Sequence, residues 1–492
     1  MRFNRVLLVH PSQDVEWPGL TPPIGLGYLA EALKDSGIEY DVLDMNLGYS
    51  SKHLRKKLDN FQPNLVGMSM ITRDYRGFYS TLEEIKRYNN KIKIVAGGPH
   101  VTIFKEKVLQ ECQAVDYGIT REGEIALVEL CQGEIAEEDI KGLLYRKNSD
   151  IVYAGDREFI SDLDMVSWPR YEKFELGKYF HEISIHTSRG CPYQCIFCAR
   201  HCLTPKYQAR NAESVGDELE YWYRKGYRQF NIEDDNFNLI RKRVYAICDE
   251  IERRQLQGLA LRCSNGIRAD RIDRAMLARM REVGFKYIAF GVDAGNDRML
   301  KVVKKGETME DIENGIRNAC ELGYSIKLFF IIGNPTETTE DVEDMVRISR
   351  KYPVQEVHFN NVIPYPGTEL YEWVEKNNYF LRQPDEFLNN ASFWEKVPIF
   401  ETPELPRAER IRLTKYLHDV RKEIHRDAIR RIFHRYRLIG KLASLLLADS
   451  FLERYYYKSR FWRKIVEDFR YRLSGGKILQ KEPDTATGQV AK

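Results

Sequence analysis

The most informative feature of the chain is a group of three cysteines, Cys191, Cys195 and Cys198, within residues 188–199. Offsets of four and three residues allow three thiolates to bind three irons of one iron–sulfur cube. Because three cysteines leave the fourth iron without a protein ligand, that iron is open to a small molecule. The spacing therefore predicts a [4Fe-4S] cluster that serves as a reaction site.

Two other uses of these thiols compete with the open cluster. A closed zinc site usually pairs two neighbouring cysteines with a distant second pair, and the only further thiol nearby is Cys202, four residues after Cys198. Cys202 as a fourth cluster ligand would close the open iron. Since a cluster on three cysteines is complete without Cys202, we expect the open cluster and keep zinc and the closed cluster as alternatives.

The cysteine motif resembles that of the radical S-adenosylmethionine (SAM) superfamily, in which SAM chelates the open iron and is cleaved to a 5′-deoxyadenosyl radical. Segments similar to the family's pattern follow in the family's order at residues 231–237, 263–270, 291–295, 332–337 and 364–369. The resemblance implies that Asp234 and Asp235 contact the SAM ammonium and that Arg268 holds its carboxylate through paired hydrogen bonds. The implied SAM-binding residues are Phe197, Asp234, Asp235, Asn265, Arg268, Asp293 and Gly333.

Alternating strands and helices must position these residues. Five apolar strands are predicted in the first part of the chain, near residues 5–9, 41–44, 65–70, 93–96 and 114–118. Six more follow, near residues 183–186, 228–232, 261–264, 287–292, 326–332 and 356–362. Such alternation is typical of parallel sheets, whose ligands bind beyond the carboxyl ends of the strands. The sequence therefore predicts an α/β fold with two sheets, the second a partial (β/α)6 barrel with the cluster loop after its first strand.

The first part of the chain resembles the cobalamin-binding domain that precedes the core of many radical SAM enzymes, mainly through residues 22–28 and 97–100. The Asp-x-His-x-x-Gly signature is absent, so we expect cobalamin without a histidine ligand and a loop position for His100. Arg121 replaces the first glycine of the usual Gly-Glu-Gly-Glu. A Rossmann-like domain used only for docking is the alternative. The implied cobalamin contacts are Pro23, Gly25, Ser69, Thr72, Gly97, Gly98, Glu122 and Gly123.

We predict five segments along the chain. They are a Rossmann-like, doubly wound cobalamin-binding domain (1–140), a linker (141–180) with a hairpin at 143–153, a radical SAM core (181–390), a basic helical C-terminal domain (391–480) and a disordered tail (481–492).

The C-terminal segment is strongly basic. Residues 407–477 contain 20 Lys and Arg against 8 Asp and Glu, a net charge of +12, whereas the whole chain carries +3. One interpretation is a helical cap on the barrel. A second is a membrane-surface anchor, because aromatic and basic residues on amphipathic helices suit anionic lipids. RNA binding is a third, but no RNA-module motif occurs, so we expect no nucleic-acid partner.

The nine cysteines and the N-terminal residues predict the cellular compartment of the protein. An odd number of cysteines, several in apolar segments, favours a reducing environment. Residues 1–10 form a short strand and not a signal peptide, and no apolar run reaches the length of a spanning helix. We expect a cytoplasmic enzyme, with membrane contact only through the basic helices.

Together, the implied cofactors are a [4Fe-4S] cluster, SAM and cobalamin. They predict a cobalamin-dependent radical SAM methyltransferase that methylates an unactivated carbon of a small-molecule or lipid-like substrate, with ferredoxin or flavodoxin as electron donor and no assigned catalytic base. An anaerobic oxidative cyclase or rearrangement enzyme, similar to the Mg-protoporphyrin monomethyl ester cyclase group, is one alternative. A non-catalytic redox or sensory iron–sulfur protein is another.

Overall fold

The structure is a computed structural model that describes residues 1–12, 20–390 and 397–432. Its first unit is one sheet flanked by helices. The strands are β1 (Arg5–His10), β2 (Glu39–Asp44), β3 (Leu65–Ser69), β4 (Lys93–Gly97), β5 (Tyr117–Ile119), β6 (Leu143–Lys147) and β7 (Asp150–Tyr153). The helices are α1 (Ile24–Asp35), α2 (Ser51–Phe61), α3 (Tyr75–Tyr88), α4 (Pro99–Phe104), α5 (Glu106–Glu111) and α6 (Glu124–Gln132).

The strands of the first sheet lie in the order β2-β1-β3-β4-β5-β6-β7, and β1 to β5 are parallel. Helices cover both faces, so the central strands are apolar on both sides; Leu7 and Leu8, adjacent in β1, are both fully buried. The strand order reverses between β1 and β3, which is the point where doubly wound sheets bind their ligands. The predicted α/β fold of this unit is confirmed.

The hairpin β6–β7 belongs to the first sheet. The sequence predicts that this hairpin is part of a linker, but β6 pairs antiparallel with β5, with Tyr117 opposite Tyr145. Asn148 takes a left-handed φ of 57° in the turn. Leu143 and Leu144 are fully buried. The hairpin joins the sheet because β5 would otherwise expose an unpaired edge.

A connector, residues 154–181, then runs along both units. The Tyr171 ring packs 5.0 Å from that of Phe174 and 5.8 Å from that of Trp222 in the second unit. A methyl group added to Gly27 in α1 would lie 2.6 Å from the Tyr171 ring and 2.7 Å from Pro169. Residues 169–174 therefore pack closely against both the first and the second unit.

The second unit is an open, all-parallel sheet with helices outside. Its strands are β8 (Glu182–Ile185), β11 (Gln229–Ile232), β12 (Ala260–Ile267), β13 (Phe285–Asp293), β14 (Ser325–Ile332) and β15 (Glu356–Asn361), and a two-stranded ribbon, β9 (Ser188–Arg189) with β10 (Gln208–Ala209), lies beyond β8. The helices are α7 (Arg200–Leu203), α8 (Ala212–Arg224), α9 (Arg241–Arg253), α10 (Arg274–Glu282), α11 (Asp297–Val302), α12 (Met309–Glu321), α13 (Thr339–Lys351), α14 (Glu369–Lys376), α15 (Pro384–Asn390) and α16 (Arg407–Ile432). The six main strands lie in the order β15-β14-β13-β12-β11-β8.

Helix α16 packs on β15 and α13, at the edge of the second sheet. Its apolar face is buried, with Leu413, Leu417, Val420 and Ile424 spaced for one side of a helix. The described part of the basic segment thus packs as a cap on the sheet. The rest of that segment, including the predicted membrane-contacting helices and the predicted disordered tail, lies outside the described residues. In the described part of the chain, no helix is both long and apolar enough to span a membrane.

Candidate active site at the carboxyl ends of the strands

The three cysteines lie in the loop between β9 and α7, beyond the carboxyl end of β8. Backbone hydrogen bonds secure the middle of the loop: the Ile196 amide donates to the Val303 carbonyl at 3.2 Å, and the Leu370 amide donates to the Ile196 carbonyl at 3.0 Å. The three thiols are free and partly exposed. Burial raises the pKa of the Cys195 thiol to about 12 and also raises that of Cys198.

The donor set fits a cluster on three cysteines. All three thiols are on one loop, and the Cys202 thiol is directed elsewhere, since it donates to the Gly367 carbonyl at 2.9 Å. This contact argues against Cys202 as a fourth ligand. Among the described residues, no three His, Cys, Asp or Glu side chains are close enough together to hold a single metal ion.

The segment after β11 accepts hydrogen bonds from the residues just before Cys191. Asp234, 2% exposed, accepts hydrogen bonds from the Thr187 amide and the Ser188 hydroxyl, both at 2.6 Å. Asp235 accepts from the Gly190 amide at 3.0 Å and pairs with Arg200 at 2.8 Å. The resemblance implied that both acids contact SAM. Their carboxylates are instead engaged with the residues on either side of the three cysteines.

Asn236 contacts a cluster cysteine directly. Its Nδ2 lies 3.8 Å from the Cys191 Sγ, and the residue is 2% exposed. Its Oδ1 is buried and has no hydrogen-bond partner among the described residues. A buried amide oxygen without a donor is costly, so this atom is an unsatisfied acceptor next to Cys191.

Arg268 supports the cysteine loop as well. Its guanidinium donates to the Lys305 and Gly306 carbonyls at 2.9 and 3.0 Å and to Asp270 at 2.8 Å, and it stacks on the Tyr193 ring at 3.5 Å. Three of the five guanidinium N–H groups are therefore engaged within the protein.

Asp293 is part of a buried ion cluster. It accepts from the Lys305 ammonium at 2.5 Å, and the same ammonium lies 3.5 Å from Glu307. Burial opposes the charge of Lys305, but the two carboxylates outweigh burial and raise its pKa. Asp293 therefore faces a lysine in this structure.

Two further predicted SAM contacts differ in their accessibility. Asn265, exposed at the end of β12, donates to the Glu233 carbonyl at 2.9 Å, while Phe197 is partly buried among apolar side chains. Asn265 lies near the carboxyl end of β12 and Phe197 lies within the cysteine loop, and each side chain has part of its surface exposed.

The space next to Gly333 is filled by a side chain of α16. A methyl group added there would collide with the guanidinium of Arg410, which is fully buried. Arg410 donates to the Phe400 carbonyl at 2.8 Å and to the Ile332 carbonyl at 3.3 Å. Burial raises the pKa of the neighbouring Glu337 to about 7, although Arg410 opposes that shift. Gly333 thus makes room for Arg410.

The carboxyl edge of the first sheet brings the predicted cobalamin loops together. The Met70 amide donates to the Gly97 carbonyl at 2.8 Å, and Gly98 takes a φ of 88°. A methyl group at Gly98 would lie 2.7 Å from the Ser69 Oγ. Thr72 is buried in the same loop as Met70.

The same edge leaves space where a ligand would need it. A methyl group added to Gly25, just after Pro23 at the start of α1, would meet no described atom outside its chain neighbours and own helix within 4 Å. At Gly97 the nearest such atom is the Ile119 carbonyl oxygen at 3.5 Å. The open space at Gly25, beside the switch point of the sheet, fits a bulky flat ligand such as a corrin.

His100 lies in the first turn of α4, and not in a loop. Its ring stacks on Tyr75 at 4.8 Å and its Nε2 lies 3.1 Å from the Tyr79 hydroxyl. Burial lowers the pKa of His100 to about 3, so the ring is neutral at physiological pH. His100 is a packed aromatic residue here.

Glu122, predicted to contact cobalamin, binds the second unit. Its carboxylate pairs with Arg189 at 2.8 Å, and Glu124 pairs with the same guanidinium at 2.7 Å. Gly123 lies between these two acids. This contact joins the edge of the first sheet to the residue two positions before Cys191.

Four residues of the site are not predicted from the sequence: Arg189, Asn236, Lys305 and Arg410. Only Asn236 had a signal in the sequence, because it stands among polar residues after a strand. The other three are basic residues, and each has at least one acidic or carbonyl partner that lies 12 to 78 positions away in the chain.

Comparisons with known proteins bear on both units. The B12 binding domain model matches residues 15–131, and the Radical SAM superfamily model matches residues 185–348. An uncharacterized methyltransferase of Pyrococcus horikoshii is 30% identical over 399 residues, which are 77% of this chain and 85% of that protein. The anaerobic magnesium-protoporphyrin IX monomethyl ester cyclase of Cereibacter sphaeroides is 27% identical over 430 residues, 82% of this chain and 68% of that one.

Two solved structures share the fold. The cobalamin-dependent SAM radical enzyme OxsB, solved with aqua-cobalamin and SAM, superposes with a TM-score of 0.73 at 16% identity, covering 96% of this chain and 75% of that one. The radical SAM methyltransferase TsrM of Kitasatospora setae, solved with cobalamin and a [4Fe-4S] cluster, gives a TM-score of 0.65 at 22% identity, covering 77% and 76%.

Proposed function

The chain belongs to the radical SAM superfamily, among the enzymes with an N-terminal B12-binding domain, and from this premise we propose that it methylates a carbon atom of a small-molecule substrate. The observation that carries the proposal is the direct contact of the cysteine loop with residues 122–124. This contact holds the segment after β5, at the carboxyl end of the first sheet, against the segment after β8, at the carboxyl end of the second. A reaction that needs a radical source and a methyl carrier requires the two cofactor sites to be adjacent in this way.

The cofactors of the family are a [4Fe-4S] cluster, SAM and cobalamin. When bound, they supply one-electron cleavage of SAM and a transferable methyl group, and the protein positions them and excludes water. We assign the cluster to Cys191, Cys195 and Cys198. Asp234 and Asp235 hold the loop that carries these thiols.

For SAM itself, we assign contacts to three residues near the loop. We assign the ammonium of SAM to the unpartnered Oδ1 of Asn236, in place of the expected Asp234; the contact of the Asn236 amide with Cys191 supports this assignment. Asn265 and Phe197 have accessible surface for the ribose and the adenine. Arg268, Asp293 and Gly333 shape the surrounding structure through Tyr193, Lys305 and Arg410.

For cobalamin, we assign the crevice at the switch point of the first sheet. Pro23 and Gly25 line one side of it, at the start of α1. The loops that follow β3 and β4 line the other side, with Ser69, Thr72, Gly97 and Gly98. The His100 ring packs on Tyr75 and contacts the Tyr79 hydroxyl, which supports cobalamin held without a histidine on cobalt.

Gly25→Ala tests the cobalamin site. The added methyl group meets no other part of the described protein, and alanine is favoured over glycine in a helix by up to ~1 kcal/mol, so thermal stability should be unchanged or slightly higher. If cobalamin occupies this space, its affinity should fall at least ~10-fold, a cost of ~1.4 kcal/mol. Titration of the chain with hydroxocobalamin, followed by absorbance, measures the affinity.

Gly177→Ala is the matched control, because a methyl group at Gly177, in the connector, would also meet no described atom outside its chain neighbours and own helix within 4 Å. Its cobalamin affinity should equal that of the wild type. Equal affinities of the Gly25 and Gly177 variants would remove Gly25 from the cobalamin site.

Methyl transfer is tested with SAM carrying a deuterated methyl group. The protein is purified without oxygen from a cobalamin-supplied host, iron and cobalt are counted, and a strong one-electron reductant is added. We expect four irons and one cobalt per chain, label in the methyl group on cobalamin, and 5′-deoxyadenosine once substrate is supplied. Mass spectrometry detects both products.

The same experiment decides between the candidate functions. The similarity to the Cereibacter sphaeroides cyclase favours an oxidative cyclase as the second candidate, and 5′-deoxyadenosine without any transfer of label would support it. Neither product from a fully loaded protein would indicate a redox or sensory role. A reduced ferredoxin or flavodoxin is the electron donor that we propose in the cell.

Membrane contact, which we keep as a proposal for the basic segment, is measured separately by sedimentation with anionic vesicles.

A further inference from the structure

Arg189 makes two ion pairs between the units. It lies in β9, two residues before Cys191, and its two terminal nitrogens contact Glu122 and Glu124 of the first unit at 2.8 and 2.7 Å. The three side chains are only 8–13% exposed. Buried carboxylates that share one arginine depend strongly on it, because without it two like charges remain together in a poorly solvated place.

On the side of the first unit, further contacts hold the Arg189 guanidinium and the Glu122 carboxylate in place. The Arg189 guanidinium lies 4.6 Å from the ring centre of Tyr28, a buried residue of α1. Glu122 uses its second oxygen to accept from the Ile160 amide at 2.7 Å. The guanidinium therefore contacts α1 and the start of α6, and through Glu122 it is linked to the connector.

The second-unit side leads directly to the cluster ligands. Arg189 pairs with Gln208 in the β9–β10 ribbon, and its neighbour Ser188 donates to Asp234 at 2.6 Å. The next residue, Gly190, donates its amide to Asp235. Any displacement of the first unit relative to Arg189 would thus act on a stretch of backbone that ends at Cys191.

We propose that Arg189, with Glu122 and Glu124, positions the B12-binding domain on the cysteine loop and so sets the separation of the two metal cofactors. These are positioning residues and not cofactor contacts. The identity of the cofactors rests on the function proposed above, whereas the contact itself does not. An arginine suits this role because its rigid fork reaches two carboxylates at once, which a lysine ammonium does less well.

The contact is tested first in the chain without cofactors. Hydrogen exchange of peptides covering residues 118–126, 154–181 and 186–192 is compared between the wild type and Arg189→Met. We expect exchange in these peptides to be at least ~10-fold faster in the variant, since opening of the interface exposes their amides. Unchanged exchange in all three peptides would overturn the proposal.

Arg254→Met provides the matched control. Arg254 is 9% exposed and pairs with Asp217, Glu220 and Glu250 inside the second unit. Its loss should lower stability without accelerating exchange at the interface. Equal acceleration in both variants would show general destabilisation and would also overturn the proposal.

Glu124→Gln covers the case in which Arg189→Met does not fold. It keeps the size of the side chain and the Glu122 ion pair, so exchange should be intermediate between wild type and Arg189→Met. Wild-type exchange in this variant would argue against the paired arrangement.

The separation of the cofactors is tested in the loaded protein. Cob(II)alamin and the reduced cluster are both paramagnetic, and their magnetic interaction in electron paramagnetic resonance depends on distance. We expect Arg189→Met to retain iron and cobalt at wild-type levels but to show a weaker and broader interaction, partly restored in Arg189→Lys. An identical interaction in all three proteins would overturn the proposal. A protein that binds no cobalt would instead refute the proposed function, and the exchange experiment would still decide the contact.

Discussion

Replacement of Cys195 with alanine is expected to abolish reductive cleavage of SAM and to remove most of the iron from the purified chain. The loss of activity should reach at least about a thousandfold, or ~4 kcal/mol of activation free energy, because amino-acid side chains cannot replace the iron–sulfur cluster in the reductive cleavage of SAM. Cys195 is the central thiol of the loop, and burial raises its pKa to about 12, so only a bound metal would keep it as a thiolate. The measurements are iron and sulfide per chain and the rate of 5′-deoxyadenosine formation.

Cys202→Ala is the matched control for this experiment. Cys202 is four residues from Cys198 in the sequence, but its thiol donates to the Gly367 carbonyl. Iron content and turnover should therefore stay within about twofold of the wild type. A loss of iron equal to that of Cys195→Ala would mean that Cys202 is a fourth ligand, and the open iron would be excluded.

Arg410→Met is expected to have the largest effect on stability. Its guanidinium is completely buried, donates to the Phe400 and Ile332 carbonyls, and lies near the buried Glu337. Removing one side of a buried charged network typically costs ~3–5 kcal/mol. The free energy of unfolding in urea, compared with that of the wild type, measures the effect.

The matched control is Arg412→Met, two residues further along α16. Arg412 is 59% exposed and pairs only with Glu409 on the same helix at 2.6 Å in the described structure. Such exposed pairs contribute ~0.2–1 kcal/mol. Similar losses for both variants would contradict the structural role of Arg410 and would leave Gly333 available for SAM.

The sequence was sufficient for the features that depend on local pattern. Periodic apolar stretches placed eleven strands near their observed positions, because parallel strands buried on both faces must be apolar. The spacing of Cys191, Cys195 and Cys198 resembles that of the family, and the alternation of strands and helices predicts the fold class; the comparisons confirm both. Each of these features is encoded by residues close together in the chain.

The positions of the charged groups required the tertiary structure. Asp234, Arg268 and Asp293 stand where the family pattern places SAM contacts, yet their partners are Ser188, Gly306 and Lys305. Opposite charges attract wherever the fold brings them together, so many pairings of 76 basic and 73 acidic residues are compatible with the sequence.

The contact between the two units shows the difference most clearly. From the sequence alone, Glu122 belonged to a ligand loop and Arg189 was only a neighbour of the cysteine motif. The fold places them 2.8 Å apart although 67 positions separate them in the chain. The sequence by itself determined which cofactors the protein is built to use, since their ligands follow local motifs. Only the tertiary structure decided how the two units meet, because that depends on packing and charge between distant segments.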